Sequence, residues 1–311
     1  MTATAYACRP YADDHDLQAM IELVSSRPPE RMMVFPSIVD LQEISGTLEG
    51  QESLHLWHDG EKLVAFAYLS GDFLAFELAS SAPFVPLADV ILGWGIEMLA
   101  DGDEPPKSVF TGCREEDTAR IAFLQQRGFT ADPVQTIHFT RTLTDPLPAP
   151  VLPAGFAIRP LAGEAEVEAW LQIHHAAHES AQMTADFRRS MMRAAEYRSE
   201  LDLVAVAPDG RLAAYAMCHF SVEENRLRKQ NVGYTDPVAT HPDFQGKGLA
   251  RALLLEGFRR LKDAGMDIAE VSTSGDNTGM VRTAESVGYR QASTTIFYEK
   301  PLTKKQFHTS K

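Results

Sequence analysis

Cysteine is scarce in this sequence, and long apolar runs are missing. The 311 residues include three scattered cysteines, Cys8, Cys113 and Cys218. An odd, scattered set argues against a disulfide scaffold and predicts a reducing, cytoplasmic location. No stretch reaches the about 18–20 consecutive apolar residues of a transmembrane helix, so we predict no membrane partner. The first residues also lack the basic segment and apolar core of a secretory signal.

Basic residues are few in the first half of the chain. Residues 1–150 carry 23 acidic and 9 basic side chains, whereas residues 151–311 carry 20 of each. Nucleic acids and anionic membranes bind basic surfaces, so neither is an expected partner. A large anionic ligand is better placed in the second half. The acidity of the first half is typical of a solvated surface, with attraction of a cationic substrate as the alternative.

Prolines mark a boundary between two domains. Four of them fall between residues 143 and 155: Pro146, Pro148, Pro150 and Pro153. Proline fits neither a helix interior nor a central strand. We therefore predict domains at 1–145 and 155–302, a linker at 146–154 and a tail at 303–311.

The two predicted domains begin and end alike. The run Ala7–Tyr11 matches Ala157–Leu161, and each precedes an acidic helix start. The run Glu116–Phe129 matches Asp276–Tyr289 with the same spacing from threonine to aromatic residue. These matches predict an internal duplication. The apolar patterns of both halves predict strands and helices, so the chain is an α+β protein of two similar units.

The most specific pattern is the segment Gln245–Ala250, which reads QGKGLA between a strand and a long amphipathic helix. Gly246 and Gly248 permit positive φ and close approach of a ligand. The first amides of the following helix lack intrahelical partners, and the helix dipole favours an anion beside them. The segment therefore predicts a site for a pyrophosphate. A plain glycine turn before a core helix is the alternative.

This segment resembles the acyl-CoA loop of the GNAT superfamily of N-acetyltransferases, whose signature is Gln/Arg-x-x-Gly-x-Gly/Ala. The resemblance covers Gly155 to Leu302 and includes the strand end Val238–Pro242 and the helix from Asn277 to Tyr289. The two-unit arrangement is similar to tandem GNAT proteins. The resemblance implies a mixed α/β fold in which each unit is a central, mostly antiparallel sheet flanked by helices.

The resemblance also implies acetyl-CoA as the co-substrate and indicates how it is held. Backbone groups of the strand would pair with the pantetheine arm, the loop amides would hold the pyrophosphate, and an asparagine would bond the pantetheine region. Lys247 and Arg251 are placed for phosphate charge, although a solvated face is the alternative for Arg251. The implied cofactor-binding residues are Val238, Ala239, Thr240, Gln245, Gly246, Lys247, Gly248, Leu249, Ala250, Arg251 and Asn277.

Amine acetylation requires a group that accepts a proton from the attacking nitrogen. Asp236 is the first candidate, because many members of the family carry a carboxylate at that site. The alternative is a carboxylate that caps a bulge before Pro237. His219, Glu223 and Glu224 follow as candidates, although the two glutamates are more typical of a charged loop.

A residue that protonates the leaving thiolate is harder to assign. The family resemblance implies a tyrosine seven residues after Asn277, and this chain has Ala284 there. Tyr298 on the last strand is our candidate in its place, with Ser286 and Tyr289 nearby in sequence.

Three histidines, His174, His175 and His178, lie on one predicted helix. The glutamate of the His-Glu-x-x-His zinc motif is absent there, so we predict no metal. Solvated or substrate-lining histidines are the expectation.

The first half departs from the loop signature. Pro83 and Pro86 remove amides that a phosphate would use, and Gly93 and Gly95 fall inside a helical pattern. We therefore predict that residues 1–145 form a degenerate unit that does not bind acyl-CoA.

The predicted function is transfer of an acetyl group from acetyl-CoA to a primary amine of a small molecule, by direct attack in a ternary complex. A catalytically lapsed acyl-CoA sensor, favoured by Ala284, is one alternative. A protein N-acetyltransferase, with a partner recruited by the first domain, is another.

Overall fold

The computed structural model describes residues 6–26, 38–100, 105–178, 183–194 and 196–302. Packing divides the chain into two compact units. The first unit comprises residues up to 135 together with those from 294 onward, and the second comprises residues 136–293. Each is a sheet flanked by helices, which confirms the predicted fold class. The predicted tail, 303–311, lies outside the described residues.

The first unit has an apolar core between its sheet and its helices. Its strands are β1 (Ala7–Pro10), β2 (Leu54–Asp59), β3 (Lys62–Ser70), β4 (Phe73–Leu78), β5 (Ser108–Arg114) and the later part of β12 (Arg290–Pro301). They lie in the order β1-β2-β3-β4-β5-β12, and only the pair β4–β5 is parallel. Its helices are α1 (Asp14–Ser25), α2 (Ile38–Ser45), α3 (Leu48–Glu52), α4 (Phe84–Ala100) and α5 (Thr118–Gln126).

The second unit has the same plan. Its strands are the later part of β6 (Thr130–Thr142), β7 (Ala157–Pro160), β8 (Asp202–Val206), β9 (Leu212–His219), β10 (Val232–Thr240) and β11 (Ile268–Ser274). They lie in the order β6-β11-β10-β9-β8-β7, and only the pair β10–β11 is parallel. Its helices are α6 (Val167–His178), α7 (Ala185–Arg193), α8 (Val222–Arg228), α9 (Leu249–Asp263) and α10 (Thr278–Ser286).

The units do not coincide with the predicted domain boundaries, because two strands pair outside their own half of the sequence. Residues 136–142 of β6 pair with β11 of the second unit. Residues 295–301 of β12 pair with β5 of the first unit. The predicted boundary at 145 therefore lies after β6, whose later part pairs within the second unit. The predicted domain end at 302 lies after β12, whose later part pairs within the first unit. Residues 143–156 form neither helix nor strand, as the prolines predict.

The internal duplication is visible in matching side-chain contacts. In the first unit the guanidinium of Arg9 contacts both carboxylate oxygens of Asp16 at 2.6 Å. In the second, Nη1 of Arg159 lies 2.8 Å from Oε2 of Glu166, again seven residues on. Each carboxylate also accepts a backbone amide four residues earlier. The two units therefore join their first strand to their first helical turn in the same way.

The elements that surround the site form where the sequence predicts them. The turn at Pro208–Gly210 joins β8 and β9, and Gly210 has φ of 86° as this turn requires. The helix α9 buries its apolar residues at three- and four-residue spacing against the sheet. These residues are Leu249, Ala252, Leu253, Leu254, Leu255, Phe258 and Leu261.

The segment after β9 is a helix, which corrects the expected charged loop. Ser221 caps α8 by accepting the amide of Glu224 at 3.2 Å. Glu224 and Arg228 are buried, whereas Glu223 is half-buried and pairs with Arg226 at 2.6 Å. The sequence carried the signal, since Ser-x-x-Glu is the capping box of a helix start.

In the part of the chain that the structure describes, no helix combines the length and apolar character that crossing a membrane requires.

Candidate active site

An opening in the second sheet provides the framework of the site. β10 pairs with β11 only from Val232 to Tyr234. Its other edge stays paired with β9 as far as Thr240. Between Thr235 and Val238 the register with β9 shifts, at the position of Pro237, which has no amide to donate. Among the residues that the structure describes, no strand of this sheet therefore pairs with the edge of Val238 to Thr240 opposite β9.

A cavity of about 540 Å³ lies in this region. That volume falls within the about 300–1,000 Å³ that is usual for small-molecule sites. It is bounded by the end of β10, the glycine-rich loop, the start of α9, the start of α10 and the end of α6. The lining residues include ten of the eleven predicted cofactor-binding residues: Val238, Ala239, Thr240, Gln245, Gly246, Gly248, Leu249, Ala250, Arg251 and Asn277.

The glycine-rich loop has the conformation that its sequence predicts. Gly246 has φ of 73° and Gly248 has φ of 77°. Gly248 is the N-cap of α9, and its carbonyl accepts the first intrahelical bond, from the amide of Ala252 at 3.0 Å. The amides of residues 249–251 precede that bond, so the helix itself offers them no acceptor. These donors and the helix dipole make this wall of the cavity suited to an anion.

The side-chain oxygen of Asn277 caps a helix, and its side-chain nitrogen stays available to a ligand. Its Oδ1 accepts the amide of Met280 at 3.1 Å and so caps α10. In the first unit Asp117 caps α5 in the same way, accepting the amide of Arg120 at 3.1 Å. Because Oδ1 is engaged by the cap, Nδ2 of Asn277 is the atom that can donate into the cavity.

Two predicted phosphate partners differ in position. Arg251 lines the cavity and is half-buried. Lys247 is exposed and is not among the described lining residues.

Asp236 lies next to a histidine at the point where β10 and β11 separate. Its Oδ1 is 3.3 Å from Nε2 of His219 on β9. The bulge predicted as the alternative is also present, at the register shift after Thr235. Asp236 therefore both lies within the bulge and faces a titratable partner.

The tyrosines named by the sequence do not line this cavity. Tyr298 is 2% exposed in the apolar core of the first unit, opposite Thr111 on β5. Tyr289 is buried, and its hydroxyl lies 2.8 Å from Oγ1 of Thr235. Burial raises the pKa of Tyr289 well above its usual value. Ala284 is fully buried. Among the described residues, the cavity is therefore lined by no tyrosine hydroxyl.

The histidines of α6 bond to protein groups. Nδ1 of His174 lies 2.7 Å from the hydroxyl of Tyr215, and Nε2 of His175 lies 2.7 Å from the carbonyl of Met183. His178 lines the cavity, and a lining position was one of the two expectations for these histidines, the other being a solvated one. Burial is the main cause that lowers the pKa of His174, to about 4, followed by the charges of His178 and His175. The described residues contain no cluster of histidine, cysteine and carboxylate side chains suited to a metal.

The comparisons with known proteins agree with this fold. Residues 167–289 match the model of the acetyltransferase (GNAT) family. The matched segment lies within the second unit and covers less than half of the chain, and together with the relatives described next it supports an acyltransferase.

Its relatives include enzymes named mycothiol acetyltransferase. That of Nocardiopsis dassonvillei is 28% identical over 283 residues, which cover 82% of this chain and 84% of the relative. That of Thermobispora bispora is 26% identical over 258 residues, which cover 79% and 82%.

Solved structures share the fold over nearly the whole chain. A GCN5-related N-acetyltransferase from Sphaerobacter thermophilus superimposes with a TM-score of 0.76 at 20% identity and covers 95% of each chain. A tandem GNAT protein from the clavulanic acid biosynthesis pathway gives a TM-score of 0.73 at 13% identity, covering 96% of this chain and 98% of its own.

Proposed function

We propose that this protein is an N-acetyltransferase that moves the acetyl group of acetyl-CoA to the primary amine of a small molecule in a ternary complex. The observation that carries the proposal is the cavity, which joins an anion-binding helix start to an unpaired strand edge. Relatives named mycothiol acetyltransferase support a small molecule as the acceptor.

The residues present fit acetyl-CoA. The amides of the glycine loop and of the first turn of α9 would hold its pyrophosphate, with Arg251 supplying positive charge. The free edge of Val238 to Thr240 would pair with the pantetheine amides as a neighbouring strand does. Nδ2 of Asn277 would donate to the same arm. When bound, acetyl-CoA supplies a thioester whose carbonyl carbon is open to attack by an amine.

The chain's own groups would perform the remaining tasks. Successive amides of a strand point to opposite edges, so one of the amides of Val238 and Ala239 faces the opening and would stabilise the carbonyl oxygen. Proton acceptance falls to the site of Asp236. A thiol with pKa of ~8.5 leaves readily as a thiolate near neutral pH, so the alanine at position 284 lowers the rate without preventing the reaction.

The first unit is proposed to bind no acyl-CoA. α4 begins at Phe84, directly after Pro83, and Gly93 and Gly95 lie inside that helix. Gly95 packs closely on the sheet, since a Cβ there would come within 2.8 Å of Leu74. Gly95 therefore serves packing, whereas a Cβ at Gly93 would meet no atom within 4 Å.

Isothermal titration of the intact chain with acetyl-CoA tests the proposal, followed by detection of free CoA with a panel of primary amines. We expect one site per chain and CoA release with at least one amine. Two sites would contradict the inert first unit, and absence of binding would overturn the function.

The second candidate, an acyl-CoA sensor, is favoured by the buried Ala284 and the lack of a lining tyrosine among the described residues. It predicts tight binding with no CoA release for any amine of the panel, so the same experiment separates the two functions.

A further inference from the structure

His219 and Asp236 form a pair at the inner end of the opening. Their side chains are 42% and 40% exposed, so a ligand has access to both. His219 is the cross-strand partner of Tyr234, the last residue of β10 that pairs with β11. A pantetheine arm that starts at the glycine loop and runs along Thr240 and Val238 would advance about 3.3 Å for each residue of the strand. Its far end would therefore approach this pair.

The contact fixes which nitrogen of His219 carries a proton. An ionised carboxylate only accepts hydrogen bonds, so Nε2 of His219 must be the donor to Oδ1 of Asp236, 3.3 Å away. Nδ1 is then the unprotonated nitrogen with a free lone pair. A histidine held in this way is suited to take a proton, and the carboxylate stabilises the imidazolium that forms.

A buried network holds the ring beneath His219. The imidazole stacks on Tyr234 with ring centroids 5.1 Å apart and an interplanar angle of 25°. The hydroxyl of Tyr234 donates to Glu224 at 2.7 Å and accepts from Arg228 at 2.9 Å. Arg228 also donates to Glu270 at 3.1 Å. This network has two carboxylates and one guanidinium, and its hydrogen bonds hold in place the tyrosine ring on which the imidazole stacks.

We propose that Nδ1 of His219 accepts the proton of the attacking amine and that Asp236 is the residue that orients it. The amine lone pair forms the new C–N bond, the C–S bond breaks with its electron pair on sulfur, and one amine proton moves to His219. The imidazolium then returns that proton to the thiolate or to water. This inference rests on the proposed acetyl transfer, and it assigns to His219 the role for which Asp236 was the first candidate.

The titratable and charged groups around His219 come from four elements. They are Cys218 on β9, Tyr234 and Asp236 on β10, Glu224 and Arg228 on α8, and Glu270 on β11. Cys218 is buried, and burial raises its pKa, so it stays neutral. Asp236 is the one of these groups in direct hydrogen-bond contact with the imidazole, so its removal should have the largest effect.

The first test needs no acceptor. Nitrogen-15 spectra of the histidine side chains in the full chain, with His219→Gln to assign the signals, report the tautomer directly. We expect the neutral imidazole of His219 to carry its proton on Nε2, and the fraction of this tautomer to fall in Asp236→Asn. A tautomer protonated on Nδ1 would overturn the proposal, whether or not any amine is acetylated.

The second test is kinetic and uses the panel amine that the wild-type chain acetylates fastest. His219→Gln keeps a donor near Asp236 but cannot take a proton, so we expect kcat to fall by about 100-fold or more with an unchanged KM for acetyl-CoA. The acidic limb of the pH–rate profile should also disappear. His58→Gln, in the first unit, is the control and should have no effect. If kcat falls by less than threefold and the acidic limb of the pH–rate profile is retained, the proton acceptor is Asp236 and not His219.

Discussion

Replacing Gly248 by aspartate or asparagine is the sharpest test of the anion site. The two side chains have the same shape, and both tolerate positive φ better than other non-glycine residues. A Cβ at this position meets no atom within 4 Å, so neither substitution creates a steric clash. At φ of 77° each costs about 1 kcal/mol of backbone strain, common to both variants. The difference between them is therefore one negative charge.

The size of the effect follows from the charge at the start of α9. Two unit charges 4 Å apart interact by about 4 kcal/mol at an effective dielectric constant of about 20. An aspartate at position 248 would repel a bound phosphate and would also occupy the open amides itself. A repulsion of about 3–4 kcal/mol should raise the dissociation constant for acetyl-CoA several hundredfold in Gly248→Asp. Gly248→Asn should lose only a small factor.

Isothermal titration of the wild type and both variants measures these affinities, with circular dichroism and urea unfolding to verify that each variant is folded. The ratio of the two variants should fall at high salt, because screening weakens the repulsion. Equal affinities of folded Gly248→Asp and Gly248→Asn would refute the assignment of the loop as a phosphate site.

Three further predictions address single side chains. Asn277→Asp keeps the helix cap, loses the Nδ2 donor and adds a negative charge, so it should weaken acetyl-CoA binding without lowering the thermal midpoint. Asn277→Ala should weaken binding and lower the midpoint, and equal melting of the two variants would contradict the cap. Asp202→Asn leaves the fully buried guanidinium of Arg188 without its charge partner and should reduce the free energy of unfolding by about 3–5 kcal/mol in urea; a loss below about 1 kcal/mol would refute this. The pKa of His174 is lowered from 6.5 to about 4, so the folded state resists protonation and stability is lost as the pH falls from 6.5 towards 4. The loss should be about 1–2 kcal/mol after allowance for partial exposure, and His174→Gln should flatten the dependence of the urea midpoint on pH over this range.

Features set by neighbouring residues were predictable. The helix α9 follows from its apolar spacing, and the positive φ of Gly246 and Gly248 follows from residue type. The same reasoning showed that Gly93 lies inside a helix of the first unit. The α8 helix was predictable from its capping box at Ser221, although the density of charges around it favoured a loop.

Features set by distant residues were not predictable in the same way. The destination of β12 depends on which strand edge accepts it, and its own sequence does not specify that β5 does. Tyr298 lies on that strand and is therefore part of the core of the first unit. The boundaries of the two units lie outside the proline-rich linker for the same reason. β6 pairs with β11, and this joins residues more than a hundred positions apart.

The sequence by itself determined the glycine-rich loop, the helix behind it, the alanine at position 284 and the glycines inside a helix of the first unit. Each of these is a property of a short segment, because backbone preference and helical or strand periodicity act over a few residues. Only the tertiary structure decided that His219 contacts Asp236, that Tyr234 lies beneath it on a buried charged network, and that His178 reaches the cavity. These contacts join residues on different elements, and their geometry is set by strand register and helix packing over the whole unit.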